Sequence, residues 1–170
     1  NNAPKTYFAP DVYAAMLSAD YDGHLQTMGL KEDPDNLGTI ISTVGIKNAD
    51  PEMKVVIGGL AVADVDYFRE IVEWSKNNRA SAPLEKILPF DVLNIHKYTG
   101  DSLAYLNSTF GISPEAGRLK DTLLVFDAYR DSLETAFNID LELWISEFGY
   151  DTYTPAPDTK GGAAPAIGDN

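Results

Sequence analysis

The feature that most constrains this chain is a regular exchange between two periodicities in its second half. Residues 53–61, MKVVIGGLA, form a β-branched run with Gly58 and Gly59 near its end, and read as a buried strand. Residues 64–79 switch to helical spacing: Asp64 suits an N-cap, and Val65, Phe68 and Val72 make an inward stripe. PFDVLNIHKYTG then supplies a second strand over residues 91–98. A second long helical pattern follows over residues 113–137, with Ser113 as N-cap and Pro114 at the first helical position. Leu119, Leu123, Phe126, Leu133 and Phe137 line its core face. LELWISEFG, residues 141–149, is the third strand.

Strands alternating with helices of this length imply parallel pairing through right-handed crossovers. Two α/β architectures satisfy that pattern: a partial (β/α)8 TIM barrel, or a doubly wound open sheet. Ahead of it, PDVYAAMLSAD (residues 10–20) reads as a helix with Pro10 in its first turn and Tyr13, Met16 and Leu17 on one face. Residues 21–52 are rich in Gly, Asp and Asn and read as a long loop, with one short helix expected within GTIISTVGIK. Neither an internal repeat nor a low-complexity tract interrupts the chain.

The length of 170 residues suits one domain or a piece of a larger one, and 44% hydrophobic residues are enough to build a core. With 26 acidic against 13 basic residues the net charge is −13, which repels phosphate backbones and argues against nucleic acid or anionic membrane partners. No apolar run approaches the ~18 residues of a membrane span. The absence of cysteine excludes disulfides and thiolate chemistry and leaves the compartment open, secretion and the periplasm included. The ends, NNAPKTYFAP and GGAAPAIGDN, have the character of loop material, so the chain reads as a single-domain fragment, residues 1–170.

Side chains alternate faces along a strand. Over residues 91–98, Val92, Asn94, His96 and Tyr98 share one face, and Leu93 and Ile95 the other. Over residues 141–149, Leu143, Ile145 and Glu147 are expected on one face, with Trp144 and Phe148 on the other. A barrel strand turns one face to the helices and one to the axis, and polar groups near its C-terminal end build the active site. Asn94, His96, Tyr98 and Glu147 follow that rule. A sheet covered on both faces would have to compensate His96 and Glu147, since an unpaired buried carboxylate or imidazole costs several kcal/mol. The G-x-G-x-x-G fingerprint of nucleotide-binding sheets is missing from IGGLAVAD. Asp20, Asp22 and His24 in SADYDGH lack a recognised metal-ligand spacing and read as a turn with capping carboxylates. Taken singly, His96, Tyr98 and Asn94 have ordinary structural explanations; the joint pattern of H-x-Y and S-E-F-G at successive strand ends carries the functional reading.

Those residues resemble a family. WISEFGYD is similar to the seventh-strand segment of clan A glycoside hydrolases, the retaining (β/α)8 enzymes; NIHKY resembles the sixth strand and KVVIGGLA the fifth. The resemblance spans roughly residues 53–151. It implies that Glu147 is the catalytic nucleophile, that Tyr98 donates a hydrogen bond keeping it ionised and oriented, and that His96 lines the sugar site. Tyr150, with Tyr153, is a candidate platform for sugar rings. The implied partner is a β-linked oligo- or polysaccharide, and no cofactor or metal is called for. Such chemistry needs a second carboxyl group ~5–5.5 Å from the nucleophile. In the family this is a Glu after an Asn on the fourth strand, and the chain holds no Asn-Glu pair. The acid/base and the remaining part of the barrel are therefore expected outside these residues, leaving this piece alone inactive. A carbohydrate-binding barrel without catalysis and a doubly wound small-molecule-binding domain are the alternatives.

Overall fold

In the computed structural model, residues 8–60, 63–99 and 114–150 are described. Helix α1 (Pro10–Gln26) is followed by an antiparallel hairpin of β1 (Leu30–Glu32) and β2 (Ile40–Ser42), and by a single turn, α2 (Ile46–Ala49). Helix α3 (Val65–Asn78), strand β3 (Val92–Thr99), helix α4 (Pro114–Phe137) and strand β4 (Glu142–Tyr150) complete the order. The fold is mixed α/β with a small parallel sheet; among the described residues no closed barrel is formed. No helix of the described residues is long and apolar enough to cross a membrane.

β3 and β4 pair in parallel, and the segment of residues 55–60 runs parallel along the other side of β3 through bridges Val56–Val92 and Leu60–Ile95. The expected first strand is thus reduced to two isolated bridges among its described residues. Gly58 and Gly59 interrupt it: they bring no side chain to pack, and backbone pairing resumes only where the His96 N–H donates to the Leu60 carbonyl at 3.3 Å. All three segments lie in sequence order, each neighbour linked by a helical crossover.

The helices lie against one face. Leu93 and Ile95 of β3 share a buried cluster with Ala14 and Leu17 of α1, with Phe68, Ile71 and Val72 of α3, and with Phe126, Leu133 and Phe137 of α4. Phe68 and Phe126 meet edge to face at 5.6 Å between ring centres, which joins the two crossover helices. α3 begins as its sequence dictates, with the Asp64 carboxylate accepting from the N–H groups of Asp66 and Tyr67. Ser113, the expected cap of α4, lies outside the described residues.

Two expectations in the first half are corrected. Met16 is 44% exposed, and the inward stripe of α1 is Ala14, Leu17, Ser18 and Tyr21. Ser18 is inside because the buried Arg79 guanidinium donates to its hydroxyl at 2.6 Å, so a polar residue occupies a position that hydrophobicity would assign elsewhere. The segment of residues 21–52, expected as loop with one short helix, carries the β1–β2 hairpin as well as α2. Its strands are three residues long, too short for alternation to announce them. Helical backbone angles stop at Asp22, and Gly23 turns at φ +67 where an added Cβ would sit 2.6 Å from the Val44 carbonyl oxygen.

Candidate functional site at the C-terminal end of the parallel strands

The register of the parallel pair changes the face on which Glu147 lies. Leu93 stands opposite Leu143, Asn94 opposite Trp144 and Ile95 opposite Ile145, but His96 stands opposite Glu147. Ser146 is the extra residue of a β-bulge. Leu143 and Ile145 therefore share the helix-packed face with Leu93 and Ile95, and simple alternation would have sent Glu147 into the same apolar layer. The bulge resets the alternation, so Ser146 and Glu147 both emerge on the face of Asn94 and His96. The expectation that Glu147 shares a face with Leu143 and Ile145, and that Trp144 opposes it, is corrected. Trp144 lies on the Asn94 face, where its indole N–H donates to Glu142 Oε2 at 2.8 Å.

The physical reason is legible in hindsight. The strand alternates from Leu141 to Ile145, and two consecutive polar residues, Ser146 and Glu147, then break the alternation. Burying that carboxylate against Phe68 and Phe126 would cost several kcal/mol. One extra residue avoids the cost.

Four side chains meet on this face. The Asn94 amide is buried, with its Nδ2 donating to Ser146 Oγ at 2.9 Å and its Oδ1 accepting from the Ser146 backbone N–H at 3.1 Å. Ser146 Oγ lies 2.9 Å from His96 Nε2. His96 Nδ1 lies 3.4 Å from Glu147 Oε2, with the imidazole 18% and the carboxylate 52% exposed. The ring rests directly on Gly59, where an added Cβ would overlap it. The glycine of the broken first strand thus makes room for the histidine of the second.

Asn94, His96 and Glu147 are brought together as the sequence anticipates. β3 carries Tyr98 two residues beyond His96, in register with Gly149, and β4 ends on Tyr150 in register with Thr99. The side chains of Tyr98 and Tyr150 fall outside the described part of the structure, as does Tyr153. Sequence reasoning missed Ser146, whose hydroxyl links Asn94 to His96.

The other polar cluster is at the opposite, N-terminal end of the strands. All five guanidinium N–H groups of Arg79 are used: two on the Asp22 carboxylate at 2.9 and 2.7 Å, one on Ser18, and one each on the carbonyls of Ile87 and Lys86 at 3.0 Å. Asp22 also accepts from the Leu25 N–H at 2.8 Å, the capping role its sequence suggests. Among the described residues no group of three or more acidic or histidine side chains is placed to hold a metal. Nearby, Asp91 accepts from the Tyr21 hydroxyl and pairs with Lys47 at 2.8 Å. Burial, then the Asp91 charge and hydrogen bond, push the Tyr21 phenol far above its ordinary range. A cavity of about 400 Å³ lined by Tyr21, Asp22, Lys47 and Lys86 opens here, with Asp22 paired to Arg79 and Lys47 to Asp91. The Glu147 carboxylate and the His96 imidazole lie at the other, C-terminal end of the strands.

No protein-family model matches the chain, and comparison with curated proteins and with solved structures finds no match.

Proposed function

We propose that this chain is the later part of a (β/α)8 catalytic domain, about strands five to seven, of a retaining glycoside hydrolase acting on β-linked oligo- or polysaccharides. Glu147 is its nucleophile. The observation that carries the reading is the bulge at Ser146, which lifts Glu147 out of the helix-packed layer onto the Asn94–His96 face at the C-terminal end of parallel strands. Barrel enzymes keep their chemistry at that end, and bulges concentrate beside active sites.

The arrangement of the helices supports the barrel over a doubly wound sheet. α1, α3 and α4 all share the core on the Leu93–Ile95 face. α3 contacts both α1 and α4. Val12 and Met16 on α1, and Leu124 and Val125 on α4, stay about half exposed, as suits helices that meet further neighbours in a ring.

In the proposed reaction a Glu147 oxygen attacks the anomeric carbon while the bond to the departing sugar breaks. The departing oxygen takes a proton from a second carboxyl group. Water, deprotonated by that same group, then displaces Glu147 from the sugar. The second carboxyl would come from a strand that these 170 residues do not include, since no Asn-Glu pair occurs among them. His96 lines the sugar site beside the nucleophile, and Tyr98 and Tyr150 continue it along the strand ends.

A 2-deoxy-2-fluoro glycoside with a good leaving group, applied to the complete catalytic domain, should label Glu147. Glu147→Gln should lower kcat at least about 10³-fold, as loss of a covalent nucleophile does. Labelling of another residue, or full activity in the variant, would reject the assignment. Oligosaccharide binding without turnover would instead identify a binding barrel.

A further inference from the structure

The bulge residue does more than shift the register. Asn94 Oδ1 faces the Ser146 backbone N–H, which can only donate, and this fixes the orientation of the amide. Nδ2 is therefore the group facing Ser146 Oγ, and it can only donate. The hydroxyl accepts from Asn94 and has one proton to give; with the acceptor Glu147 Oε2 facing Nδ1, the arrangement without opposed lone pairs sends that proton to His96 Nε2 at 2.9 Å. A neutral imidazole that accepts at Nε2 carries its proton on Nδ1. That is the nitrogen 3.4 Å from Glu147 Oε2.

We propose that Ser146, held by Asn94, is a positioning residue that selects the Nδ1–H tautomer of His96 and so aims an N–H at Glu147. The chain of donors runs one way, from the Asn94 amide through the Ser146 hydroxyl and the His96 ring to the carboxylate. Its consequence is orientational. An N–H then faces one carboxylate oxygen at 3.4 Å and favours that oxygen's position beside β3. Had Nε2 carried the proton, the lone pair of Nδ1 would face a carboxylate oxygen, and the two acceptors would repel. Gly59 is part of the same device, because the ring can reach Ser146 only where no Cβ stands beneath it.

The tautomer assignment stands on geometry alone; its kinetic consequence rests on the hydrolase reading, and the two are tested separately. Long-range ¹H–¹⁵N spectra of the ¹⁵N-labelled protein, recorded where the ring is neutral, report which nitrogen is protonated. The wild type should show Nδ1 protonated and Nε2 bare. Ser146→Ala should shift the population toward Nε2–H, and Ser146→Thr, which keeps the hydroxyl, should restore the wild-type pattern. A protonated Nε2 in the wild type overturns the proposal without any variant, as does an unchanged tautomer in a folded Ser146→Ala protein. In the complete domain Ser146→Ala should lower kcat roughly 10- to 100-fold with little change in KM, the scale of a misplaced reacting group, and Ser146→Thr should recover it. An Nδ1–H tautomer found together with fluorosugar labelling elsewhere would leave the positioning role standing and reject only the hydrolase reading.

Discussion

At the scale of single residues, the chain places its unusual groups where specific neighbours make them tolerable. His96 is the clearest case: Gly59 lies beneath the ring, Ser146 lies at one nitrogen and Glu147 at the other. Gly59→Ala should therefore cost about 1–3 kcal/mol through overpacking and displace the ring. Thermal melts measure the first effect and the His96 nitrogen and carbon shifts the second. Unperturbed His96 resonances in the alanine variant would show that the ring does not rest on this glycine. Glu147 follows the same logic from the opposite direction, since its neighbours Ile145 and Phe148 are apolar and only the extra residue before it turns the carboxylate away from the helices.

At the scale of elements, the helices are joined through polar groups as well as through the core. Arg79 follows the C-terminal end of α3 and is fully buried, yet its donors are matched by α1 through Ser18 and Asp22 and by the carbonyls before β3. Such a pair adds little beyond a well-packed apolar substitute, but removing one partner strands the other. Arg79→Met should lose about 3–5 kcal/mol because Asp22, largely buried, is left without its partner. Asp22→Asn combined with Arg79→Met should recover part of that loss. Urea denaturation of the single and double variants measures both values, and equal stabilities would dismiss the coupling. The same bond explains why α1 leaves helical geometry at Asp22: the carboxylate must reach Arg79 while capping Leu25.

At the scale of the whole molecule, burial of tyrosines sets a limit on alkaline stability. Tyr129 is pushed up to about 12 by burial, against the opposing charge of Arg69, whose guanidinium sits 5.7 Å from the ring centre. Tyr21 and Tyr13 are also raised, in each case mainly by burial. Unfolded tyrosines ionise near pH ~10, while these keep their protons to higher pH, so above that value the unfolded state binds fewer protons. Stability is thus fully present below pH ~10 and falls as pH rises toward the folded values. The urea midpoint should decline steadily between about pH 10 and 12, less steeply in Tyr129→Phe. A midpoint flat across that window would show these phenols to be solvated.

Much of this architecture was legible from local chemistry. The Asp64 cap, the Phe68 and Val72 stripe, the core face of α4 and the two paired strands all follow from periodicities that a single element enforces on itself. So did the placing of Asn94, His96 and Glu147 at strand ends. The short β1–β2 hairpin was not legible, because three-residue strands carry no periodic signal and are held by their turn and neighbours. Nor was the reduction of the expected first strand to two bridges among its described residues, which depends on what the glycines lie against.

By itself, then, the sequence determined which residues seek the core and which end of each strand is polar, because hydrophobicity and spacing act within one segment. Only the tertiary structure decided the face of Glu147. Alternation counted along one strand assumes an unbroken pleat, and the bulge at Ser146 exists only in the pairing of β4 with β3. The same is true of Arg79, which lies far along the chain from Ser18 and Asp22: a buried charge declares itself only when its partners arrive.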